Sequence, residues 1–425
     1  MILYLRGDNV ITINTKPNYI VRDDLNVYLI VVTFPVGKVK LEDVYKVSFM
    51  VDFMNDYSVN YPEEDMFLRA LDKYFIGSYN VNRYVYGDET FVEVSFMLPK
   101  EGLFDEYNSE DSLKLMSDIV FNSICIDEKY ITDKIFETAV NIIKNKITKR
   151  TKTIGGRITS EWSKILDGNR VFTLTDEDYL DVLSKVTKED IVNSYNNIIL
   201  SNKFMVNISG PEEGKDTILN NVNKYFKSEI NEFNIKGNYF PIYDAEKRGL
   251  THLNGEYNQS VISIQYEYSN YTEDDYFTMM LINVILNRQE NSFLLKKLRF
   301  NNNLVYGCDS LFKPEIKSIV VTAFLSKKNI DKCKSLIDET ISMLKDKDTF
   351  VEAKRKLLKA DEISLYDSLD SKFNDLKIHI CHLINRNTFE DEYNKLKDVT
   401  YEDVIKVIDS LKIVNTLLIE GEYDD

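Results

Sequence analysis

Residues 185–210 read KVTKEDIVNSYNNIILSNKFMVNISG, and residues 398–421 read DVTYEDVIKVIDSLKIVNTLLIEG. Both segments contain Val-Thr-x-Glu-Asp, in which Thr187 or Thr400 is suited to cap a helix and the two acids fall in its first turn. In each segment an apolar-periodic helix is followed by a β-rich run and then by a glycine. The two threonines are 213 residues apart, about half the chain. The simplest explanation is a duplicated domain of about 200 residues.

The hydrophobic pattern predicts strands near the start of each half and helices after them. The alternating segment FVEVSFML at 91–98 predicts a half-buried strand. Other strands are predicted at 261–268 and 318–324, and helices at 110–124, 129–148, 187–198, 272–286, 292–300, 328–345, 348–366 and 369–385. This order predicts an α+β fold of two tandem homologous domains, each a mostly antiparallel sheet covered by helices. We expect the domains at 1–228 and 259–425, with a polar, turn-rich connection at 229–258.

Composition excludes several classes of protein. The formal net charge is −16 and no Lys/Arg block builds a basic face, so nucleic-acid binding is not expected. The four cysteines are far apart and form no CxxC, which argues against a zinc ribbon or a redox motif. No stretch approaches 18 apolar residues, and the start, MILYLRGDNV, lacks the apolar core of a signal peptide. We therefore expect a reduced, cytoplasmic protein that neither crosses nor binds a membrane.

One segment of the second half carries a specific motif. LLKKLRFNNNLVYG, at 294–307, has the form L-x-x-L-R-x-x-x-x-L-x-Y, with Arg299 and Tyr306 as its polar members. Together with the two tandem α+β halves, it resembles the pitrilysin/insulinase-type zinc peptidases, in the smaller form typified by mitochondrial processing peptidase. The resemblance covers nearly the whole chain. The glycine-rich loop that this family has before the motif is here LNRQENS, at 286–292, and contains no glycine.

The zinc motif of that family is missing from this chain. Active members carry H-x-x-E-H on the first long helix, where two histidines bind zinc and the glutamate is the general base. At those positions this sequence has Ser48 and Asp52 in place of the histidines and Val51 in place of the base. Lys146 occupies the position of the third ligand, a glutamate on a later helix, and its ammonium would repel zinc. The resemblance therefore implies a chain that holds no metal and is not catalytic alone.

The three histidines do not replace the missing site. His379 and His382 are three apart on a predicted helix with Cys381 between them, so a metal clip is one interpretation. We favour the interpretation that His379 and His382 are two partly buried imidazoles on the helix, because no carboxylate lies at metal-ligand spacing from them. His252 belongs to no constellation.

The resemblance also implies what Arg299 and Tyr306 do. In two-chain relatives the metal-free subunit closes the chamber opposite its partner's zinc and brings this Arg and Tyr towards it. A tyrosine hydroxyl can donate to the oxyanion, and an arginine can hold a peptide carbonyl or carboxylate. Taken singly, Arg299 is more simply interpreted as a cation at a helix end, and Tyr306 as an aromatic residue of the core.

The family also places a peptide-pairing edge strand at 77–91, which here includes Tyr79, Asn80 and Val81. An ordinary sheet strand is the alternative interpretation.

Two functions remain open at this stage. The first is a non-catalytic subunit of a heterodimeric zinc peptidase that helps bind and position a peptide substrate, with maturation or leader processing of a ribosomally made peptide as the role. Its partner would be a homologous subunit with H-x-x-E-H, and zinc would be bound by that partner. The second is a metal-free structural scaffold, or a peptide-binding protein that works alone.

Overall fold

The computed structural model of the protein describes residues 10–37, 39, 41–86, 89–165, 175–236, 249–287, 292–367 and 389–422. The predicted helix at 369–385, with His379, Cys381 and His382, lies outside these residues. The chain divides into two compact units. The first unit comprises 1–146, 177–239 and 369–386, and the second comprises 147–176, 240–368 and 387–425. Each unit is described separately.

The first unit contains a five-stranded sheet with the order β2-β6-β3-β5-β4. Its strands are β2 (Asn18–Val21), β3 (Val27–Gly37), β4 (Ser78–Tyr86), β5 (Glu89–Pro99) and β6 (Met205–Gly210). All neighbouring strands are antiparallel except β2 and β6, which are parallel. Two further strands, β1 (Val10–Asn14) and β7 (Glu232–Lys236), pair with each other in a separate two-stranded ribbon.

The second unit repeats this sheet. Its order is β8-β12-β9-β11-β10, and its one parallel pair is again the outermost pair at one end, β8 with β12. The strands are β8 (Gly249–Gly255), β9 (Ser260–Tyr268), β10 (Val305–Lys313), β11 (Ser318–Leu325) and β12 (Leu411–Gly421). The same strand order and the same position of the parallel pair confirm the predicted duplication and the mostly antiparallel α+β fold.

Helices and strands alternate along each half, and one strand of each sheet comes after a run of helices, so the strands are not grouped at the start of each half as predicted. The helices are α1 (Leu41–Asp56), α2 (Glu64–Lys73), α3 (Ser109–Phe121), α4 (Asp133–Thr151), α5 (Ile154–Ile165), α6 (Asp176–Leu183), α7 (Lys188–Ile198), α8 (Lys215–Tyr225), α9 (Tyr276–Asn287), α10 (Ile330–Ser342), α11 (Lys347–Asp367), α12 (Phe389–Asp398) and α13 (Tyr401–Ser410). A π-helix spans Leu295–Phe300. Among the described helices, none has the length and apolar character needed to cross a membrane.

The two repeated segments begin their helices in the same way. The Thr187 hydroxyl accepts a hydrogen bond from the Asp190 backbone N–H, and the Asp190 carboxylate accepts one from the Thr187 N–H. Thr400 and Asp403 form the same reciprocal pair at the start of α13. Each capping box satisfies two backbone donors that a helix start otherwise leaves unpaired.

Strand β5 is buried on both faces, which its alternating sequence did not predict. The expected inward residues of 91–98 are buried, but Glu93 and Ser95 are also only 3% and 1% exposed. One reason is the β1–β7 ribbon, because its residues Ile13 and Phe233 pack in one cluster with Phe91 of β5. The predicted half-buried strand is therefore an interior strand between two layers.

Helix α5 packs with the second unit although it lies in the first half of the sequence. Ile158 and Ile165 pack in one cluster with Val261 of β9 and Leu417 of β12. The Trp162 indole N–H donates to the Ser263 hydroxyl over 2.9 Å. The predicted domain 1–228 thus contains a helix that belongs to the other unit.

The glycine pair Gly155–Gly156 lies in the first turn of α5. A Cβ on Gly156 would lie 2.0 Å from the Arg150 carbonyl oxygen, so only glycine allows α4 and α5 to meet so closely. The expected connection 229–258 contains strands, since β7 and β8 fall within it.

Candidate functional site

Three asparagines end the helix that carries Arg299. The segment predicted as an ordinary helix is a π-helix, in which the Asn301 N–H donates to the Lys296 carbonyl five residues earlier. The Asn302 side chain donates to the Lys297 carbonyl over 2.8 Å, which satisfies a helix-end acceptor. Asn303 has a positive φ of 50°, a conformation that asparagine tolerates better than most residues. These roles explain why the turn is built from asparagines.

The turn leaves Arg299 pointing to solvent. The Arg299 side chain is exposed, and no hydrogen bond or ion pair joins its guanidinium to a residue that the structure describes. The next residue, Phe300, is 61% exposed. Buried Leu294 and Leu298 anchor the same helix in the core of the second unit. The helix thus has one fixed apolar face and presents an unpaired cation on the other.

Tyr306 lies at an irregularity of an edge strand. Strand β10 is outermost in its sheet, and its register with β11 shifts between Val305 and Gly307, so Tyr306 is the extra residue of a β-bulge. Bulges re-aim a side chain and often occur next to active sites. Tyr306 is 49% exposed, and its hydroxyl lies 3.1 Å from the Ser326 hydroxyl. Tyr306 is therefore not a residue of the core.

One backbone turn holds the two motif residues together. The Asn303 N–H donates to the Arg299 carbonyl, and the Leu304 N–H donates to the Leu298 carbonyl, both over 2.9 Å. Arg299 therefore lies at the start of the turn, and Tyr306 follows its end by two residues. The spacing of the sequence motif corresponds to a closed local structure.

The positions of the lost zinc motif lie on α1 and α4 and hold other contacts. The Ser48 hydroxyl donates to the Val44 carbonyl over 3.0 Å and accepts from Nε of Arg83 over 2.9 Å. Val51 is 6% exposed, so an apolar side chain fills the position of the catalytic base. Among the described residues, no group of three or more His, Cys, Asp or Glu side chains is arranged to hold a metal ion. Ser48 and Val51 therefore take part in hydrogen bonds and in apolar packing, respectively, at these predicted positions.

Asp52 has an unusual protonation equilibrium. Its side chain reaches solvent, but crowding by surrounding protein is the largest effect on it and raises its pKa to about 6. Lys146 acts in the opposite direction by favouring the carboxylate, and Asp56 adds to the increase. Lys146, at the position of the family's third ligand, is thus a counter-charge for the residue at the position of the second histidine.

The predicted peptide-pairing strand is an edge strand, but its outward groups are partly occupied. Among the described strands, β4 pairs only with β5. The Asn55 side chain on α1 accepts from the Val81 N–H over 2.7 Å and donates to the Val81 carbonyl over 2.8 Å. The Tyr79 hydroxyl donates to the Met54 carbonyl of α1, whereas the Asn80 carbonyl accepts from the Ser95 hydroxyl on the neighbouring strand β5. A peptide that paired at Val81 would have to displace Asn55, a residue that the sequence did not single out.

The described histidine has a structural contact. His252 lies on β8 with its Nε2 3.0 Å from the Glu420 carboxylate, which also pairs with Lys327. This exposed group is not part of a metal site in the described structure.

Comparison with known proteins shows what this chain is similar to. Residues 185–357 match the sequence profile of the "Peptidase M16 inactive domain". No curated protein sequence matches the chain. The profile covers 173 of the 425 residues, less than half of the chain, and over these residues the chain is similar to a domain described as inactive. The match supports a non-catalytic, peptidase-like protein.

Solved structures from several bacteria share the fold over nearly the full chain. A conserved protein from Enterococcus faecalis V583 is 14% identical, with a TM-score of 0.75, and the match covers 98% of this chain and 100% of that one. A protease from Helicobacter pylori is 14% identical, with a TM-score of 0.72 and coverage of 97% and 100%. A peptidase M16 inactive domain from Pseudomonas fluorescens is 14% identical, with a TM-score of 0.70 and coverage of 98% and 99%. At this identity the likeness shows a common fold.

Proposed function

We propose that this chain is the non-catalytic subunit of a heterodimeric zinc peptidase in the cytoplasm. It closes the chamber opposite the zinc of a homologous partner that carries H-x-x-E-H, and it helps bind and position a peptide substrate. Maturation or leader processing of a ribosomally made peptide is the role that the family resemblance favours. The observation that carries this proposal is the exposed Arg299–Tyr306 turn in a chain whose own zinc positions are Ser48, Asp52 and Lys146.

The chemistry of the turn supports this role. The Arg299 guanidinium is exposed and has no ion-pair partner among the described residues, and a guanidinium can hold a carbonyl or carboxylate of a peptide. The bulge exposes the Tyr306 ring, and its hydroxyl can turn from Ser326 to donate to an oxyanion. Neither role requires a metal on this chain. In the first unit, β4 supplies a second peptide contact at Tyr79, Asn80 and Val81 once the Asn55 side chain moves aside.

One observation favours the alternative of a scaffold or a stand-alone binding protein. Asn55 occupies both outward backbone groups of Val81, and a protein that pairs peptides at its edge gains nothing from such a contact. If this contact is permanent, the first unit offers no peptide-pairing edge at that residue. Peptidase activity in the presence of a zinc-bearing homologue separates the two functions.

The decisive experiment reconstitutes the complex. The chain is co-expressed with an H-x-x-E-H homologue encoded beside it, and hydrolysis of a quenched fluorescent peptide is measured. We expect Arg299→Ala and Tyr306→Phe each to lower turnover by about 100-fold, the typical effect of removing one oxyanion donor. Both variants should still elute with the partner in size-exclusion chromatography, because both side chains are exposed.

Two exposed neighbours provide matched controls. Lys296→Ala removes a cation from the same π-helix, and Leu311→Ala truncates an exposed side chain on β10, 53% exposed. Both should retain full turnover. Full activity in the Arg299 and Tyr306 variants would show that these residues have no part in the reaction, and the absence of a complex with any such homologue would favour the scaffold.

A further inference from the structure

Arg83 is a half-buried cation whose binding capacity is largely unused. It lies on β4 and points towards α1, where its Nε donates to the Ser48 hydroxyl over 2.9 Å. No other hydrogen bond joins its guanidinium to a described residue. The two terminal amino groups, Nη1 and Nη2, therefore keep their donors. A guanidinium has five N–H donors in a fixed plane, so holding Nε also fixes the direction of the other four.

No described carboxylate neutralises this guanidinium. The chain has 69 acidic and 53 basic residues, yet among the residues with described positions none forms an ion pair with Arg83. Burial is the main influence and lowers the pKa of Arg83, although arginine still keeps its proton at any physiological pH. The nearby Tyr45 and Tyr179 act in the opposite direction. In so acidic a chain, an uncompensated half-buried arginine is unexpected if its role is only structural.

The surroundings of Arg83 favour a planar anion. The rings of Tyr45 and Tyr179, two residues near the guanidinium, contact each other with their centroids 4.0 Å apart and their planes tilted by 32°. A second cation, Lys146, acts on Asp52, which lies one helical turn beyond Ser48 on α1. Two cations thus lie near a face of α1 on which Asp52 and Asp56 are the carboxylates. A carboxylate accepts two parallel hydrogen bonds from an arginine fork, which a spherical anion cannot do.

We propose that Arg83, oriented by Ser48, forms a subsite that binds a carboxylate of the peptide, either an Asp or Glu side chain or the C-terminal carboxylate. The subsite deepens the function proposed above and rests on it, because it presumes that a peptide reaches β4. It gives the first unit a chemical preference in place of the zinc chemistry that it lacks. The residue at the position of the first zinc-binding histidine, Ser48, then serves to orient an anion-binding group.

A titration with acetate tests the subsite without any peptide. The two-dimensional ¹H–¹⁵N NMR signal of the Arg83 Nε–H is identified by its loss in Arg83→Gln. We expect this signal to shift in a saturable way with acetate and not with acetamide, its neutral analogue, at constant ionic strength. In Ser48→Ala, which keeps the charge but removes the orienting contact, acetate should bind more weakly. An unchanged signal in acetate overturns the inference.

Peptide binding tests the same site in its proposed context. Fluorescein-labelled peptides with amidated ends that differ by one Glu or Gln, and one peptide with a free C-terminus, are compared by anisotropy with the full chain and its co-purified partner. We expect the carboxylate peptides to bind about tenfold more tightly than the neutral one. Arg83→Gln should remove this preference and leave affinity for the neutral peptide unchanged, and Arg83→Lys should keep part of it.

The control is an arginine that already has a partner. Arg69 is exposed on α2 and pairs with Asp65 over 2.9 Å, so Arg69→Gln should keep the preference of the wild type. Equal affinities for the Glu and Gln peptides overturn the inference and leave peptide binding intact. If no peptide binds, the proposed function is contradicted instead. The acetate titration then tests by itself whether Arg83 binds a carboxylate.

Discussion

Asp52 is the residue with the clearest electrostatic consequence among the predicted positions of the zinc motif. Its carboxyl group has a pKa raised to about 6, because burial penalises its charge more than Lys146 stabilises it. At neutral pH the group is ionised and its charge is therefore unfavourable for the folded state.

We expect Asp52→Asn to stabilise the protein at neutral pH. The folded pKa exceeds the unfolded value of 3.8, so stability is lost as pH rises from about 4 to about 6, and the variant avoids this loss. Because the side chain reaches solvent, the increase in the free energy of unfolding should be less than about 1 kcal/mol. Urea unfolding at pH 7 and pH 4 measures it, and the gain should vanish at pH 4. Asp105→Asn, in an exposed loop, is the control, and an equal gain there would contradict this account.

At the scale of single residues, sequence spacing predicted positions but not contacts. The helix repeat was enough to place Ser48 and Asp52 on one face of α1. The partner of Ser48, Arg83, is 35 residues away on another element. Its contact depends on how β4 packs against α1, which no local pattern encodes. The spacing of residues in the sequence likewise identified the Arg299–Tyr306 motif. The bulge that exposes Tyr306 became visible only in the pairing of β10 with β11, because strand pairing is a tertiary contact.

At the scale of elements, each sheet protects an edge strand with an asparagine from the first helix after its central strand. In the first unit, Asn55 at the end of α1 bonds both outward groups of Val81 on β4. In the second unit, Asn287 at the end of α9 donates to the Ser310 carbonyl of β10 over 2.9 Å. Unpaired edges invite pairing with other chains, and a side-chain amide can satisfy the same groups as a strand. The family resemblance placed an edge strand at 77–91, with an ordinary sheet strand as the alternative, but it gave no sign of the protection by Asn55, because the amide acts through tertiary geometry.

We expect Asn55→Ala to open the edge of the first sheet. Loss of two hydrogen bonds to Val81 should cost about 1–2 kcal/mol and leave the Val81 amide open to water. Hydrogen exchange at Val81 should become faster, as measured by mass spectrometry of short peptic peptides. Asn82→Ala, an exposed position on the same strand, should leave exchange at Val81 unchanged. Equal exchange in wild type and Asn55→Ala would mean that the amide of Asn55 does not protect the edge.

At the scale of the whole molecule, the duplication was predictable and the boundary between the units was not. The repeated Val-Thr-x-Glu-Asp segments contain their own capping chemistry, so the sequence alone shows that the unit occurs twice. The packing of α5 on β9 and β12 depends instead on Ile158, Trp162 and Ile165 meeting strands about 100 or more residues away. Long-range packing of this kind leaves no periodic signal at the place where one unit ends and the other begins.

Trp162 provides a way to test that boundary, because it is the single tryptophan of the chain. Its indole bonds Ser263, so its fluorescence should follow unfolding of the second unit. Thr400→Ala removes the cap of α13 in that unit at a cost of about 1 kcal/mol, and we expect it to lower the urea midpoint seen by fluorescence. Thr187→Ala removes the matching cap of α7 in the first unit and should leave that midpoint in place. Thr187→Ser and Thr400→Ser keep the caps and serve as controls. If Thr187→Ala lowered the midpoint as much as Thr400→Ala, α5 would unfold with the first unit, and the assignment of residues 147–176 to the second would be wrong.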